Sequence, residues 1–183
     1  MTTNFYKVVF TDEIRATFDG PDGWSKGRVA NACASSCRLR HPQGGGGIMI
    51  WAGIIDGIMI RPWRVSEEIQ ITAETYIAIL KEHLGPWFKR QRITFRRTMM
   101  FMQDNAPYHS AKSTSEYLQQ LGFSGPRFMK QPECSPDLNP IENIWSVLKR
   151  QVYWDGRKFS STDALWEAIL DAARSIIAEQ ICG

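Results

Sequence analysis

The chain has 183 residues, 43% of them hydrophobic and 22% charged, which suits one domain with a real core and excludes a disordered or fibrous chain. A net charge of +3, from 22 Lys and Arg against 19 Asp and Glu, does not by itself demand a polyanionic partner. Four cysteines, Cys33, Cys37, Cys134 and Cys182, are too few for a disulfide framework and read as reduced thiols of an intracellular protein. Cys33, Cys37 and His41 are separated by three residues each, but no paired CxxC follows, so zinc is disfavoured. No signal-peptide pattern opens the chain, and the longest apolar stretch, Ile48 to Ile60, is interrupted by Asp56 and too short for a bilayer.

In chain order, residues 5–11 read as a strand, with Ile14 to Phe18 as its hairpin partner. Residues 19–43 are rich in Gly, Ser, Asn and Arg, lack periodicity and are long for a loop, which implies a purpose of their own. A glycine run, Gly44 to Gly47, then enters a buried-strand pattern at Ile48 to Ile54. Asp56-Gly57 is a hairpin turn signal, with Ile58 to Ile60 returning. Thr72 to about Phe88 has helical spacing in Tyr76, Leu80, Leu84 and Trp87, and Gly85-Pro86 should end or kink it. Thr98 to Gln103 is the next strand. Ala111 to Leu121 is a helix closed by Gly122, and Arg127 to Lys130 a short strand. Pro140 to Tyr153 and Thr162 to Ile177 are amphipathic helices. The order predicts one α/β domain over 1–183, a mixed sheet with helices on its faces.

Three carboxylates stand out. Asp12 ends the apolar run Val8-Val9-Phe10-Thr11, Asp104 ends Met99-Met100-Phe101-Met102-Gln103, and Glu142 opens a helix after Asn139-Pro140-Ile141. Carboxylates at strand ends and a helix start can converge, and converging hard oxygens bind Mg²⁺ or Mn²⁺. Each has a plainer reading: Asp12 in a turn with Glu13, Asp104 in a turn with Asn105, and Glu142 at N3 of a capping box with Asn139 as N-cap. His109 suits either a DNA phosphate or catalytic carboxylate on the one hand, or a helix cap on the other. Lys89, Arg90, Arg92, Arg96 and Arg97 put five cations in nine residues, for phosphates or for a solvated loop.

Together these segments resemble the catalytic domain of the mariner-like DDE transposase superfamily. The matching pieces are Val9-Phe10-Thr11-Asp12-Glu13, Asp19-Gly20 through Trp24, and the glycine run before Ile48-Met49-Ile50-Trp51. They continue with Met102-Gln103-Asp104-Asn105-Ala106-Pro107-Tyr108-His109-Ser110-Ala111-Lys112 and Ser135-Pro136-Asp137-Leu138-Asn139-Pro140-Ile141-Glu142-Asn143-Ile144-Trp145. The resemblance implies a ribonuclease H-like, five-stranded mixed sheet flanked by helices. It implies that Asp12, Asp104 and Glu142 are catalytic and hold two Mg²⁺ (or Mn²⁺) ions, with Asn105, His109 and the five cations as possible support for the active site or DNA. It further implies cleavage of double-stranded DNA at transposon ends, transfer of the freed 3′-hydroxyl to target DNA at TA, and a nuclear location. A dimer is implied through the clamp-like segment 19–43, with no membrane and no small-molecule cofactor.

Two departures qualify the match. Thirty-seven residues separate Asp104 from Glu142, a few more than is usual, and the extra ones fall in Phe123 to Cys134. Glu133 and Asp137 lie nearer Asp104 but lack the helix-start context. The helix-turn-helix modules that read transposon ends in full-length relatives are expected to be absent from this chain. That keeps open a transposase-derived module that only binds DNA or dimerises, and, less in keeping with the motifs, an RNA-cleaving nuclease of the same fold.

Overall fold

A computed structural model describes residues 5–20, 46–65, 71–130 and 139–182. Its five-stranded sheet has the order β3-β2-β1-β4-β5. The strands are β1 (Val8–Thr17), β2 (Gly47–Ile55), β3 (Ile58–Val65), β4 (Met100–Gln103) and β5 (Phe128–Lys130). The pairs β1–β2 and β2–β3 are antiparallel, whereas β1–β4 and β4–β5 are parallel. Between β3 and β4 run α1 (Ala73–Ile79), a π-helical turn (Leu80–Leu84), α2 (Gly85–Arg90) and α3 (Ile93–Thr98). Between β4 and β5 lie α4 (Pro107–Ser110) and α5 (Lys112–Leu121), and after β5 come α6 (Ile141–Val152) and α7 (Thr162–Cys182). Among the described residues no helix is long and apolar enough to cross a membrane.

Alternation along the strands builds a core on each side of the sheet. Val8, Phe10, Ile48, Ile50, Ala52 and Ile54 join one core with Trp145, Leu148 and Leu165 of α6 and α7. Val9, Trp51 and Phe101 join the other with Tyr76, Leu80, Leu84 and Leu118. With both faces covered, the central strands are apolar on both sides, hence their continuous hydrophobic runs. The β2–β3 hairpin closes at Asp56 and Gly57, with φ of 53° and 75°, a left-handed pair that a two-residue turn requires.

Residues Ile14 to Phe18 do not form a hairpin partner for the first strand. Instead β1 continues to Thr17, paired along β2 from Phe10↔Ile54 to Thr17↔Gly47. No Gly, Pro or Asn interrupts Thr11 to Ala16, so nothing turns the chain there. Asp12 is therefore inside a strand, opposite Ala52.

The helix predicted over residues 72–88 is one run that passes Gly85-Pro86 through the π-turn, where Gly85 N–H reaches back to Leu80 O. A Cβ on Gly85 would stand 3.2 Å from the Tyr117 hydroxyl, so the glycine also lets α5 approach. Helix α3 occupies half of the basic stretch that had an alternative reading as a loop. It is short and carries no long apolar stripe, so little in the sequence announces it. Its C-terminal carbonyls are satisfied from outside, by Arg127 Nε to Met99 O at 3.0 Å and Arg127 Nη2 to Arg96 O. Helix α7 runs to Cys182, beyond the expected Ile177. The clamp-like segment beyond Gly20, the Cys33-Cys37-His41 group, Glu133, Cys134 and Asp137 lie outside the described residues.

Candidate active site

Strands β1 and β4 are parallel neighbours with Phe10 opposite Met102. Two residues further along each chain come Asp12 and Asp104, so the register carries both to the same end of the same strand pair. Phe10 and Met102 face the α6–α7 core, and by alternation Asp12 shares that face. There the indole Nε1 of Trp145 donates to Asp12 Oδ2 at 3.0 Å.

Helix α6 is tied down at its start by Asn139, which is only 5% exposed. Its Nδ2 donates to Thr11 O at 3.5 Å and its Oδ1 accepts from Ile141 N at 3.2 Å. The side-chain cap is thus Asn139's, with Pro140 already in helical conformation, but no Glu142 side-chain bond back to the Asn139 N–H closes a capping box among the described residues. Glu142 is exposed in the first turn. Burial pushes the Asp12 carboxyl up to about 7; the Trp145 bond opposes this, and the nearby Glu13 and Glu142 charges add to it. Asp12 and Glu142 thus lie within electrostatic reach of each other.

Asp104 turns towards His109. Its Oδ1 accepts from Ala106 N at 2.9 Å and pairs with His109 Nδ1. The His109 bond is the main reason its carboxyl is held below the usual range, against a smaller opposing effect of burial. Burial of the His109 ring works against its protonation, but the bonds to Asp104 and Glu13 outweigh that and raise its pKa to about 9. Being 2% exposed, His109 is not presented to a DNA phosphate, and its side chain caps no helix. Among the described residues no three His, Cys, Asp or Glu side chains are gathered closely enough to hold a metal ion.

The cationic stretch sits elsewhere. Helix α3 feeds the N-terminal end of β4, whereas Asp104 follows its C-terminal end. Lys89, Arg90, Arg92 and Arg97 are exposed there, while Arg96 is half-buried with its guanidinium 5.8 Å from the Phe88 ring. Asn105 is exposed next to Asp104.

Sequence reasoning missed Glu13, Tyr108 and the polar role of Trp145. Glu13 was read only as part of a possible turn, yet strand alternation sends it to the face opposite Asp12. Trp145 fits the apolar stripe of α6 and is 1% exposed, but a buried indole N–H needs an acceptor, which is the available signal.

A mixed 3-2-1-4-5 sheet with helices on both faces, one carboxylate on the central strand β1 and another just past the end of its neighbour β4, defines a ribonuclease H-like protein. The chain belongs to the DDE superfamily of endonucleases, whose family profile matches residues 7–166. It is 34% identical over 185 residues to the transposable element Tc3 transposase of Caenorhabditis elegans, covering 99% of this chain and 53% of the relative. The chain thus spans about half the length of that protein. Its fold matches a mariner Mos1 paired-end complex with Mg (TM-score 0.67, 18% identity, 97% of this chain and 56% of that one). It also matches the Mos1 catalytic domain (TM-score 0.59, 16% identity, 96% and 82%). The chain is thus similar in sequence to a Tc1/mariner transposase, and its fold is that of the Mos1 catalytic domain.

Proposed function

We propose that this chain acts as a metal-dependent DNA endonuclease and strand-transferase, cutting transposon ends and joining the freed 3′-hydroxyl to target DNA. The observation that carries this reading is the register that sets Asp12 and Asp104 at one end of two parallel strands, beneath the helix whose first turn bears Glu142. Membership of the DDE superfamily gives those three carboxylates their chemical context.

The donor set suits Mg²⁺ or Mn²⁺, since all three residues offer hard oxygens. The neighbouring carboxylates that help raise the Asp12 carboxyl form a negative environment that a cation would neutralise. Asp12, Asp104 and Glu142 would hold two such ions, which supply an activated oxygen nucleophile and balance charge on the leaving oxygen. The exposed cations beside α3 would take DNA phosphates at a distance from the acidic end. A TA target accords with the low cost of bending pyrimidine–purine steps. Pairing of two copies and action in the nucleus complete the proposal.

The test is nicking of supercoiled plasmid in Mn²⁺ by the chain and by its Asp104→Ala and Glu142→Ala variants. Nicking by the parent alone is expected. A parent that binds DNA equally with and without metal and never nicks would instead mark a non-catalytic DNA-binding module. Equal nicking by parent and variants would remove the carboxylates from the mechanism.

A further inference from the structure

Just past the end of α6, five consecutive residues are exposed between two buried aromatics. Tyr153 and Phe159 are buried, while Trp154, Asp155, Gly156, Arg157 and Lys158 all face solvent. Trp154 is 74% exposed, more than any other large hydrophobic side chain among the described residues. A lone exposed apolar residue is ordinary. This one is held in place and set among cations.

The turn is anchored on both sides. The Tyr153 hydroxyl donates to Thr17 O at 2.6 Å and Phe159 N donates to Phe18 O at 2.9 Å, so both flanks are bonded to the end of β1. Within the turn, Gly156 N reaches Tyr153 O at 3.1 Å and Arg157 N reaches Trp154 O at 3.2 Å. Asp155 and Gly156, at φ of 56° and 72°, are both left-handed and turn the chain sharply after the tryptophan. The indole is thus displayed from a fixed backbone.

Charge surrounds it. Lys149 and Arg150 close α6, Arg157 and Lys158 follow the tryptophan, and Asp155 is the only acid from Lys149 to Lys158. Lys158 reaches Asp19 at 4.0 Å, and even with that acid counted the turn is net positive. The basic stretch around α3 has more cations, but its one exposed large hydrophobic residue is Ile93, which offers no aromatic face. On the exposed side of α6, Glu142, Ser146 and Arg150 recur at four-residue spacing, and the next step is Trp154. By helical rise the turn stands about 18 Å from Glu142. That is roughly five base steps of a DNA strand.

We infer that the Trp154 turn is a second DNA contact, one that takes an unpaired stretch of strand: a base stacks on the indole while Arg150, Arg157 and Lys158 meet the phosphates. The inference rests on the reading of this chain as a DNA-processing enzyme. Cations alone hold any duplex through its phosphates. An indole adds little to phosphate binding, but every unstacked base offers it a face, whatever the sequence. In an intact duplex those faces are closed within the stack. The tryptophan therefore selects opened strand over duplex, which the cations around α3 cannot do.

The experiment titrates the whole chain, in EDTA, into a fluorescein-labelled oligothymidine and into a labelled duplex of the same length, and follows anisotropy. Trp154→Ala is expected to weaken single-strand binding about tenfold while leaving duplex binding within about twofold. Trp154→Phe is expected to keep most of the single-strand affinity and to lose part of the tryptophan emission that the strand quenches. Arg157→Ser is expected to flatten the dependence of log affinity on log salt by roughly 0.7 for single strands, whereas Trp154→Ala leaves that slope unchanged. Since Trp154 is exposed, both of its variants should unfold at the parent Tm. Equal losses on the two forms of DNA, or no loss on the single strand, would overturn the stacking role. So would a Trp154→Ala chain that changes mass in sedimentation while binding DNA as the parent does, because the turn would then face a second copy. A parent that binds duplex but no single strand overturns this inference alone, and a parent that binds neither overturns the DNA reading with it.

Discussion

Trp145 on α6 donates its indole N–H to Asp12 on β1 at 3.0 Å, bridging 133 residues of sequence. The bond does two things. It satisfies the one polar atom of a core tryptophan, and it opposes the burial that raises the Asp12 carboxyl. Trp145→Phe keeps an aromatic ring but removes the donor and leaves some space. Stability should fall by about 1–3 kcal/mol, seen as a lower Tm. The Asp12 carboxyl should rise further, so the acid limb of Mn²⁺-dependent nicking should move to higher pH. A lower Tm with an unmoved pH profile would reduce the tryptophan to packing.

Asp12 itself should cost the metal-free fold stability at neutral pH. Its carboxyl is raised to about 7, well above the ordinary value of 3.8, so the folded state holds the proton more tightly than the unfolded chain. Its contribution is therefore most favourable below about pH 4 and is lost as pH rises towards 7, the opposite of a salt-bridged aspartate. Asp12→Asn should remove that slope, raising stability in chelator at pH 8 by on the order of 1–3 kcal/mol while abolishing nicking. Thermal unfolding of both proteins from pH 4 to pH 8 in EDTA checks it. Parallel curves would mean that Asp12 is ionised without strain.

What the sequence carried and what it hid divide along physical lines. Continuous apolar runs and the Asp56-Gly57 turn announced β2 and β3, and the stripe Ile141, Ile144, Trp145 and Leu148 announced α6. These are local patterns, and a buried face enforces them. The extension of β1 through Asp12-Glu13-Ile14-Arg15 was illegible because its polar residues are tolerated only where β2 pairs with them. Helix α3 was hidden because its closing bonds come from Arg127, about thirty residues on. In the site, the carboxylates were legible as residues in motifs. Their partners were not, because Glu13 meets His109 across 96 positions and no spacing rule connects them.

Arg127 makes the point testable. Its guanidinium closes α3 by donating to Met99 O and Arg96 O, and stands 5.5 Å from the Phe123 ring. Arg127→Met retains an apolar stem but orphans those carbonyls at the entrance to β4. The loss should be about 1–3 kcal/mol. Hydrogen exchange should quicken over residues 95–99 before the rest of the sheet responds. Uniform acceleration across all five strands would mean that α3 has no separate stability to lose.

Neighbouring arginines on α3 should behave differently. Arg97 is exposed, whereas Arg96 is half-buried with its guanidinium near Phe88. If the exposed cations meet phosphates, Arg92→Ser and Arg97→Ser should each weaken binding to double-stranded DNA whatever its sequence, and each should flatten the dependence of log affinity on log salt by roughly 0.9 per contact removed. Arg96→Ser should chiefly lower Tm, since it strips a stem and a cation from an aromatic face. Fluorescence anisotropy of a labelled duplex across a NaCl series separates the two behaviours. Equal slopes for parent, Arg92→Ser and Arg97→Ser would take this corner out of the DNA path and return the basic run to a solvated surface.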